Sequence, residues 1–276
     1  MTQPAQNVLR RTHKVMDTAP FTLEITQDAP AAFHAPPCSG SLDLRLGDCM
    51  EGMKTFPDGH FDLAVVDPPY GIKIGERINS ITGGVKHTPK TWDDEPPPVE
   101  YFAELRRVSK HQIVWGANHF IERLPINSAC WIVWDKNNGD SLFADGELAW
   151  ASFSTPARIV KCHWCGSAAI HETGRNKIHP TQKPVKLYDW LFSKYAKPGH
   201  RVLDTHMGSG SIAIAAHYAG IHLTAYEIDA DYFHAAKARI ARETSQAELF
   251  SPQNKEDQER KSPASDGSNF NNQNEL

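Results

Sequence analysis

The residues with the clearest chemical potential are Asp67-Pro68-Pro69-Tyr70, which directly follow the apolar run FDLAVV. This run predicts a buried strand, so the tetrapeptide should lie at the carboxyl end of a sheet strand, where α/β folds bind ligands. Two consecutive prolines fix φ and remove both N–H donors, so the carbonyls of the turn can face a substrate. The pattern therefore predicts a rigid site for a ligand that donates hydrogen bonds.

The exocyclic amine of a nucleobase is such a donor. Hydrogen bonds from its two N–H groups to the Asp67 carboxylate and the Pro68 carbonyl would make the nitrogen more tetrahedral and more nucleophilic, and the carboxylate would stabilise the charge that develops as a methyl group arrives. Tyr70 would stack on the base, which must be flipped out of a duplex to reach the pocket. The alternative is that the tetrapeptide is only a rigid surface turn.

A second candidate site is the glycine-rich turn within VLDTHMGSGS, residues 202–211. Gly208 and Gly210 would let a ligand approach the backbone closely. Residues 208–213 also fit the dinucleotide pattern G-x-G-x-x-A, with Glu227 placed to bind a ribose. An NAD-dependent oxidoreductase is therefore an alternative on this motif, and only the DPPY tetrapeptide favours a methyl donor built on adenosine.

Between the two motifs lies His179-Pro180-Thr181-Gln182-Lys183-Pro184, followed by an amphipathic segment. The Thr181 hydroxyl and the Lys183 ammonium could bind a carboxylate of the cofactor. The alternative is a proline-delimited helix start with Lys183 in solvent.

The elements that must position these motifs are short β-rich runs alternating with amphipathic segments, which predicts a parallel sheet flanked by helices. The expected strands are Leu42–Leu46, Phe61–Asp67, Gln112–Trp115, Cys130–Trp134, Glu147–Phe153, Arg201–Asp204 and His222–Tyr226. The expected helices are Cys49–Thr55, Val99–Val108, Val185–Tyr195, Ser211–Tyr218 and Ala230–Arg242.

Residues 41–245 are expected to form one catalytic domain. They lie between a disordered or loosely held N-terminal arm, residues 1–40, and a polar, disordered tail, residues 246–276. The segment 73–98 is interrupted by Gly and Pro residues, and the segment 155–180 is rich in basic residues. Both are predicted to be long functional loops.

The net charge of −4 conceals a basic stretch, because residues 155–201 contain nine basic and only two acidic residues. Such a stretch suits phosphate contacts, although it could equally be a solvated face. Cys162 and Cys165 lack the further ligands of a zinc site, so no metal is expected. No apolar run is long enough to span a bilayer, so we expect a cytoplasmic protein without membrane contact.

Taken together, the motifs resemble the amino-methyltransferases of DNA in which DPPY precedes the glycine loop. The order is GDCMEGM at Gly47–Met53, DPPY, HPTQKP, LDTHMGSGS and YEID, within residues 42–243. The resemblance implies a Rossmann-like fold with a seven-stranded, mostly parallel sheet and helices on both faces. It also implies methyl transfer from S-adenosyl-L-methionine to a flipped base of double-stranded DNA, as in restriction–modification enzymes. The DPPY form implies adenine N6, with cytosine N4 as the alternative.

Carried over by position, the resemblance assigns Asp67, Pro68, Pro69 and Tyr70 to the target base. It assigns Asp48, Thr181, Lys183, Asp204, Gly208, Gly210 and Glu227 to the cofactor. Thr205-His206 stands where the family usually has a Phe, so the His would replace that aromatic contact. Target recognition is expected within the loops 73–98 and 155–180.

A last motif, Gln246-Ala247-Glu248-Leu249-Phe250, resembles the short peptide with which bacterial proteins bind the sliding clamp. The alternative is a helix end that packs Leu249 and Phe250 on the protein's own core. A DNA-binding protein without catalysis, which would need only the basic stretch, is a further alternative for the whole chain.

Overall fold

The computed structural model describes residues 40–74, 90–124, 127–139, 144–164 and 177–249. Within these ranges eight strands form one sheet in the order β1-β8-β7-β2-β3-β5-β4-β6. The strands are β1 Leu42–Leu46, β2 Leu63–Val66, β3 Gln112–Trp115, β4 Trp131–Asp135, β5 Gly146–Ala151, β6 Arg158–Lys161, β7 Arg201–Asp204 and β8 His222–Glu227.

The sheet is mostly parallel. The five neighbours β1, β8, β7, β2 and β3 run in one direction, and β4 pairs with β6 in parallel. Only β5 is antiparallel to both of its neighbours, β3 and β4. The central parallel strands are almost wholly buried, which explains their continuous apolar sequences.

Helices cover both faces of the sheet. They are α1 Cys49–Met53, α2 Val99–Val108, α3 Val185–Tyr195, α4 Ser211–Tyr218 and α5 Ala230–Leu249, with short 3₁₀ turns at Ala117–His119 and Ile121–Arg123. Because side chains alternate along a strand, Leu63 and Val65 pack with α3 and α4, whereas Ala64 and Val66 pack with α1 and α2. The predicted α/β class with helices on both faces is confirmed.

The predicted strand number was wrong by one, because the eighth strand lies inside the segment 155–180 that was expected to be a loop. In β6 only Val160 is buried, while Arg158, Ile159 and Lys161 are exposed. An edge strand of this kind is held by backbone pairing to β4, so it shows no apolar alternation in the sequence. Residues 165–176 of the same segment lie outside the described ranges.

The last helix was predicted to end at Arg242, with a disordered tail from residue 246. Instead α5 continues to Leu249, so the proposed domain boundary at residue 245 falls inside a helix. No Gly or Pro interrupts ARETSQAEL, and local propensity therefore supports the longer helix. The expectations for residues 1–39 and 250–276 lie outside the described residues.

Part of the predicted loop 73–98 is described. Residues 75–89 are not, but the segment from Lys90 to Pro98 lies across the carboxyl ends of the strands and joins the site below. In the described part of the chain, no helix combines the length and apolar character needed to cross a membrane.

Candidate active site

The motifs meet where the parallel strands end. Asp67 follows β2, the glycine turn follows β7, and Glu227 ends β8, and these three strands are neighbours in the sheet. Two cavities open there: the first has a volume of about 450 Å³ and the second about 700 Å³. Both are lined by Asp67, Pro69, Trp92, Thr181, Gln182 and Lys183. The two cavities therefore share one wall, which contains the acidic residue of DPPY.

Glu227 is the acidic residue of the first cavity. Its Oε2 accepts a hydrogen bond from Gly208 N at 2.8 Å, and its Oε1 accepts one from Asp229 N at 2.9 Å. Burial raises the pKa of its carboxyl, and the two backbone N–H groups oppose that shift. Gly208 has φ +53°, a left-handed conformation that favours glycine. The turn thus holds a carboxylate in place while leaving lone pairs for a ligand.

Two further predicted cofactor residues, Asp48 and Thr181, line the same cavity. Asp48 caps α1, since its Oδ1 accepts a hydrogen bond from Met50 N at 2.7 Å. The Thr181 hydroxyl lies 3.1 Å from His179 Nδ1. Both side chains are therefore held by their own local motif at the cavity wall.

His206, in the place of the family's usual Phe, also lines the first cavity. Burial lowers the pKa of its imidazole to about 4, so the ring is neutral at physiological pH. Its Nδ1 lies 2.9 Å from Thr205 Oγ1, which is in turn 2.6 Å from the Tyr101 hydroxyl. A neutral, flat ring with a fixed orientation is thus presented to the cavity.

Two predicted cofactor residues are not among the described residues that line the first cavity. Asp204 lies beneath the turn, where its Oδ1 accepts a hydrogen bond from His206 N at 3.0 Å and burial raises the pKa of its carboxyl to about 8. Gly210, with φ +75°, precedes α4, and a Cβ there would lie 2.7 Å from Ile240 Cδ1. In the structure both support the turn from behind.

Asp67 is already paired by its own chain. Its Oδ1 accepts a hydrogen bond from the Tyr70 hydroxyl at 2.6 Å, and its Oδ2 accepts one from Lys183 Nζ at 2.6 Å. Burial raises the pKa of Asp67, although the Lys183 ammonium opposes this. The side chain of Lys183 is 4% exposed, so this is a buried ion pair. Lys183 was expected to bind the cofactor, but its ammonium group pairs with the carboxylate of Asp67, which was predicted to be catalytic.

The pair continues into the second cavity as a chain of alternating charges. Lys183 Nζ is also 3.0 Å from Glu147 Oε2, and Glu147 Oε1 is 2.6 Å from Lys136 Nζ. Although burial opposes it, the two ammonium groups lower the pKa of Glu147 to about 2. Burial alone would lower the pKa of Lys183, but Asp67 and Glu147 raise it. The carboxylates and ammonium groups thus alternate along this chain of contacts.

Tyr70 is packed in a fixed orientation. Its ring stacks on His119 with centroids 4.9 Å apart and an interplanar angle of 15°. Gly116, with φ +68°, packs so closely against the ring that any side chain there would overlap Tyr70. Pro68, Tyr70 and His119 all line the second cavity. This cavity therefore has an aromatic side chain beside a carboxylate in its wall.

Sequence reasoning missed Glu147, Lys136 and His119. Glu147 stands in β5 and His119 in a 3₁₀ turn, and neither belongs to a recognisable motif. The only available signal for Glu147 was a charged residue within a strand that is otherwise apolar, GELAWA. For metals, the described residues contain no group of three or more His, Cys, Asp or Glu side chains that could hold an ion.

Comparisons with known proteins find similarity to methylases and methyltransferases. A family model described as DNA methylase matches residues 157–238. The "Putative methylase YubD" of Escherichia coli (strain K12) is 28% identical over 213 residues, covering 71% of this chain and 88% of YubD. The Type II methyltransferase M.HinfI of Haemophilus influenzae is 26% identical over 239 residues, covering 70% of this chain and 67% of M.HinfI.

Among solved structures, the M1.HpyAVI-SAM complex is similar, with 21% identity, a TM-score of 0.46 and coverage of 72% of this chain and 99% of that one. The matches to the family model and to the two named relatives confirm the predicted resemblance to the amino-methyltransferases of DNA.

Proposed function

We propose that this chain, of which residues 157–238 match a family model described as DNA methylase, transfers a methyl group from S-adenosyl-L-methionine to an exocyclic amine of a DNA base. The target we propose is the N6 amine of adenine. The observation that carries the proposal is the shared wall of the two cavities. Asp67 stands in that wall, next to an aromatic face on one side and an acceptor-lined cavity on the other. A donor of methyl groups and a base could thus meet at one carboxylate.

The first cavity fits the cofactor on the chemistry of its wall. Glu227 and Asp48 present carboxylates, which are acceptors for the hydroxyls of a ribose, and His206 presents a neutral ring for an adenine. Thr181 presents a hydroxyl for the methionine end. When bound, S-adenosylmethionine supplies a methyl group that is activated by a sulfonium centre.

The residues of the shared wall prepare the acceptor nitrogen. The Asp67 carboxylate and the Pro68 carbonyl accept hydrogen bonds from the amine, and the charge of Asp67 stabilises the positive charge that develops on nitrogen. Asp67 holds the amine in line rather than acting as a strong base, and the proton leaves after transfer. Tyr70 stacks on the flipped base.

Lys183 must share or release Asp67 Oδ2 when the amine binds. Glu147, 3.0 Å away, provides a second counter-ion that keeps the ammonium in the site. The cost of exposing Lys183 is thereby avoided, because a buried charge stays paired throughout.

The DNA backbone has cationic partners on the second cavity's side of the molecule. Lys177 lines the cavity, and Arg158 and Lys161 are exposed on the edge strand β6. Contacts of these side chains with phosphates would orient the duplex without reading its sequence.

Cytosine N4 is the second candidate target, because the same geometry serves either amine. The Asp of DPPY favours adenine through the family resemblance. An NAD-dependent oxidoreductase, by contrast, would bind nicotinamide and would leave Asp67 without a role.

The test is to incubate the purified protein with unmethylated bacterial DNA and isotopically labelled S-adenosylmethionine, and to analyse the nucleosides by mass spectrometry. We expect labelled N6-methyl-2′-deoxyadenosine from the wild type, none from Asp67→Ala, and wild-type yield from Asp58→Ala, whose side chain is 83% exposed. Labelled N4-methyl-2′-deoxycytidine would instead favour the second candidate. No label in DNA would contradict the proposal.

We also propose that the segment Gln246–Phe250 binds a bacterial sliding clamp. Gln246 to Leu249 form the end of α5, and Phe250 lies outside the described residues. Retention on immobilised clamp should be lost in Leu249→Ala/Phe250→Ala, whereas a wild-type chain that does not bind would exclude this partner.

A further inference from the structure

We propose that Asp93 is a positioning residue of the target-base site, an inference that rests on the function proposed above. Asp93 is 2% exposed and lies 23 residues after Tyr70 in the sequence. Its Oδ1 accepts hydrogen bonds from Tyr70 N at 2.6 Å and Gly71 N at 3.0 Å, and its Oδ2 accepts one from Ile74 N at 2.9 Å. One buried carboxylate thus binds three backbone N–H groups of the turn that follows Pro69.

The backbone of Asp93 adds a fourth contact, because its carbonyl accepts a hydrogen bond from Lys73 N at 3.1 Å. The turn needs such support. Gly71 has φ +73° and Lys73 has φ +56°, and a left-handed residue other than glycine costs about 1 kcal/mol or more. The turn has no ladder partner for these N–H groups, so Asp93 takes the place of a neighbouring strand.

The consequence for the site concerns Tyr70. Asp93 fixes the backbone nitrogen of Tyr70, Gly116 and His119 fix its ring, and Asp67 binds its hydroxyl. Without the first of these restraints, the ring could shift relative to Asp67. Asp93 therefore acts on the base through Tyr70 and touches no reacting atom.

The segment that carries Asp93 also contributes to the first cavity. Trp92 and Pro96 line that cavity, and a Cβ on Gly71 would lie 2.5 Å from Pro96 Cδ. Arg123 Nη1 donates hydrogen bonds to the Pro96 and Pro97 carbonyls at 2.8 Å and 2.7 Å. The segment that carries Asp93 is thus itself anchored, which lets the carboxylate serve as a fixed point for the DPPY turn.

The test is Asp93→Asn, which preserves size. Whichever way the amide turns, its NH₂ group faces at least one backbone N–H, so a donor replaces an acceptor. We expect kcat for methyl transfer to bacterial DNA to fall by roughly 10- to 100-fold, since small misplacements at a reacting centre cost rate on this scale. The dissociation constant for S-adenosylmethionine, measured by calorimetry, should change by less than about threefold because the acceptors of the first cavity are untouched.

The matched control is Asp94→Asn, the neighbouring residue of the same type, which has no hydrogen bond to the DPPY turn in the described structure and should retain wild-type kcat. A double-mutant cycle distinguishes a role of Asp93 that acts through Tyr70 from a merely structural role. If Asp93 acts through Tyr70, then Asp93→Asn/Tyr70→Ala should be no slower than Tyr70→Ala alone. Should Asp93→Asn fail to fold, Asp93→Ser, whose hydroxyl can still accept one N–H, replaces it in the cycle.

Three outcomes would count against the proposal. Equal kcat in Asp93→Asn and Asp94→Asn, or additive losses in the cycle, would overturn the role of Asp93 while leaving methyl transfer by the wild type intact. A wild type that methylates no DNA would instead overturn the proposed function, and the inference with it.

Discussion

The two cavities hold their carboxylates by different means. In the first, Glu227 and Asp48 are bound by backbone N–H groups, those of Gly208 and Asp229 for Glu227 and that of Met50 for Asp48. In the second, Asp67 is bound by two side chains, the Tyr70 hydroxyl and the Lys183 ammonium. Backbone donors can remain when a ligand arrives, but side-chain donors on the reacting carboxylate compete with it. The first cavity is therefore preformed, and the second must exchange partners during binding.

The difference matches the roles proposed for the two cavities. A cofactor is bound in every turnover and gains from fixed acceptors, which need no rearrangement. A base must be released after methylation. Between turnovers, donor groups of the protein itself then keep the buried carboxylate of the second cavity paired, so its charge is not left without a partner. Lys183, with two carboxylates in reach, is the element that makes such an exchange possible.

The largest effect outside Asp67 itself is expected from Lys183→Met. Loss of the ammonium leaves Asp67 and Glu147 facing each other, which should destabilise the fold by about 3 kcal/mol in chemical denaturation. Because Lys183 opposes the rise in the pKa of Asp67, its removal should move the acid limb of the pH–rate profile to higher pH. Adding Glu147→Gln should reverse part of that shift, and an unmoved acid limb would show that Lys183 does not act on Asp67.

A smaller effect, confined to the first cavity, is expected from Glu227→Gln. The amide keeps one acceptor oxygen but opposes one of the two backbone N–H groups, so the affinity for S-adenosylmethionine should fall about tenfold, a loss of about 1.4 kcal/mol. The rate at saturating cofactor should be nearly unchanged. A fall in that rate with unchanged affinity, measured by calorimetry and single-turnover kinetics, would place Glu227 with the reacting groups instead.

The prediction with the least consequence for the reaction itself concerns stability beneath the first cavity. Burial raises the pKa of Asp204 from 3.8 to about 8, so its contribution to stability is fully present below pH 3.8 and is lost as pH rises toward 8. Asp204→Asn, which can still accept the hydrogen bond from His206 N, should remove this loss. We expect the melting temperature of the wild type to decline relative to the variant between about pH 5 and pH 8. Parallel melting curves across that range would contradict the assignment.

The parts of this site that are defined by local sequence motifs could be predicted from the sequence. DPPY and the glycine turn each follow an apolar strand, and Glu227 ends a third strand. Parallel strands bring their carboxyl ends to one edge, so the convergence of these residues was predictable. The helix that begins after Pro184 was predicted with its observed bounds for the same reason, because its capping and periodicity are local.

The sequence does not predict contacts whose partners are determined by tertiary packing. Lys183 is within reach of both cavities, and its position on Asp67 depends on β5 placing Glu147 beside it. Asp93 serves residues about 20 positions earlier through a turn with no periodicity. Strand β6 is held at the sheet edge by backbone hydrogen bonds, so the pattern of its side chains does not predict a strand.

The most direct test of the division between the cavities is Asp67→Asn, measured as cofactor affinity and as single-turnover methyl transfer to DNA by the same preparation. We expect a rate lower by about 10²- to 10³-fold, the loss typical of one electrostatic group at a reacting centre, with affinity for S-adenosylmethionine within about threefold of the wild type. Wild-type methyl transfer by Asp67→Asn, or a loss explained wholly by weaker cofactor binding, would contradict it.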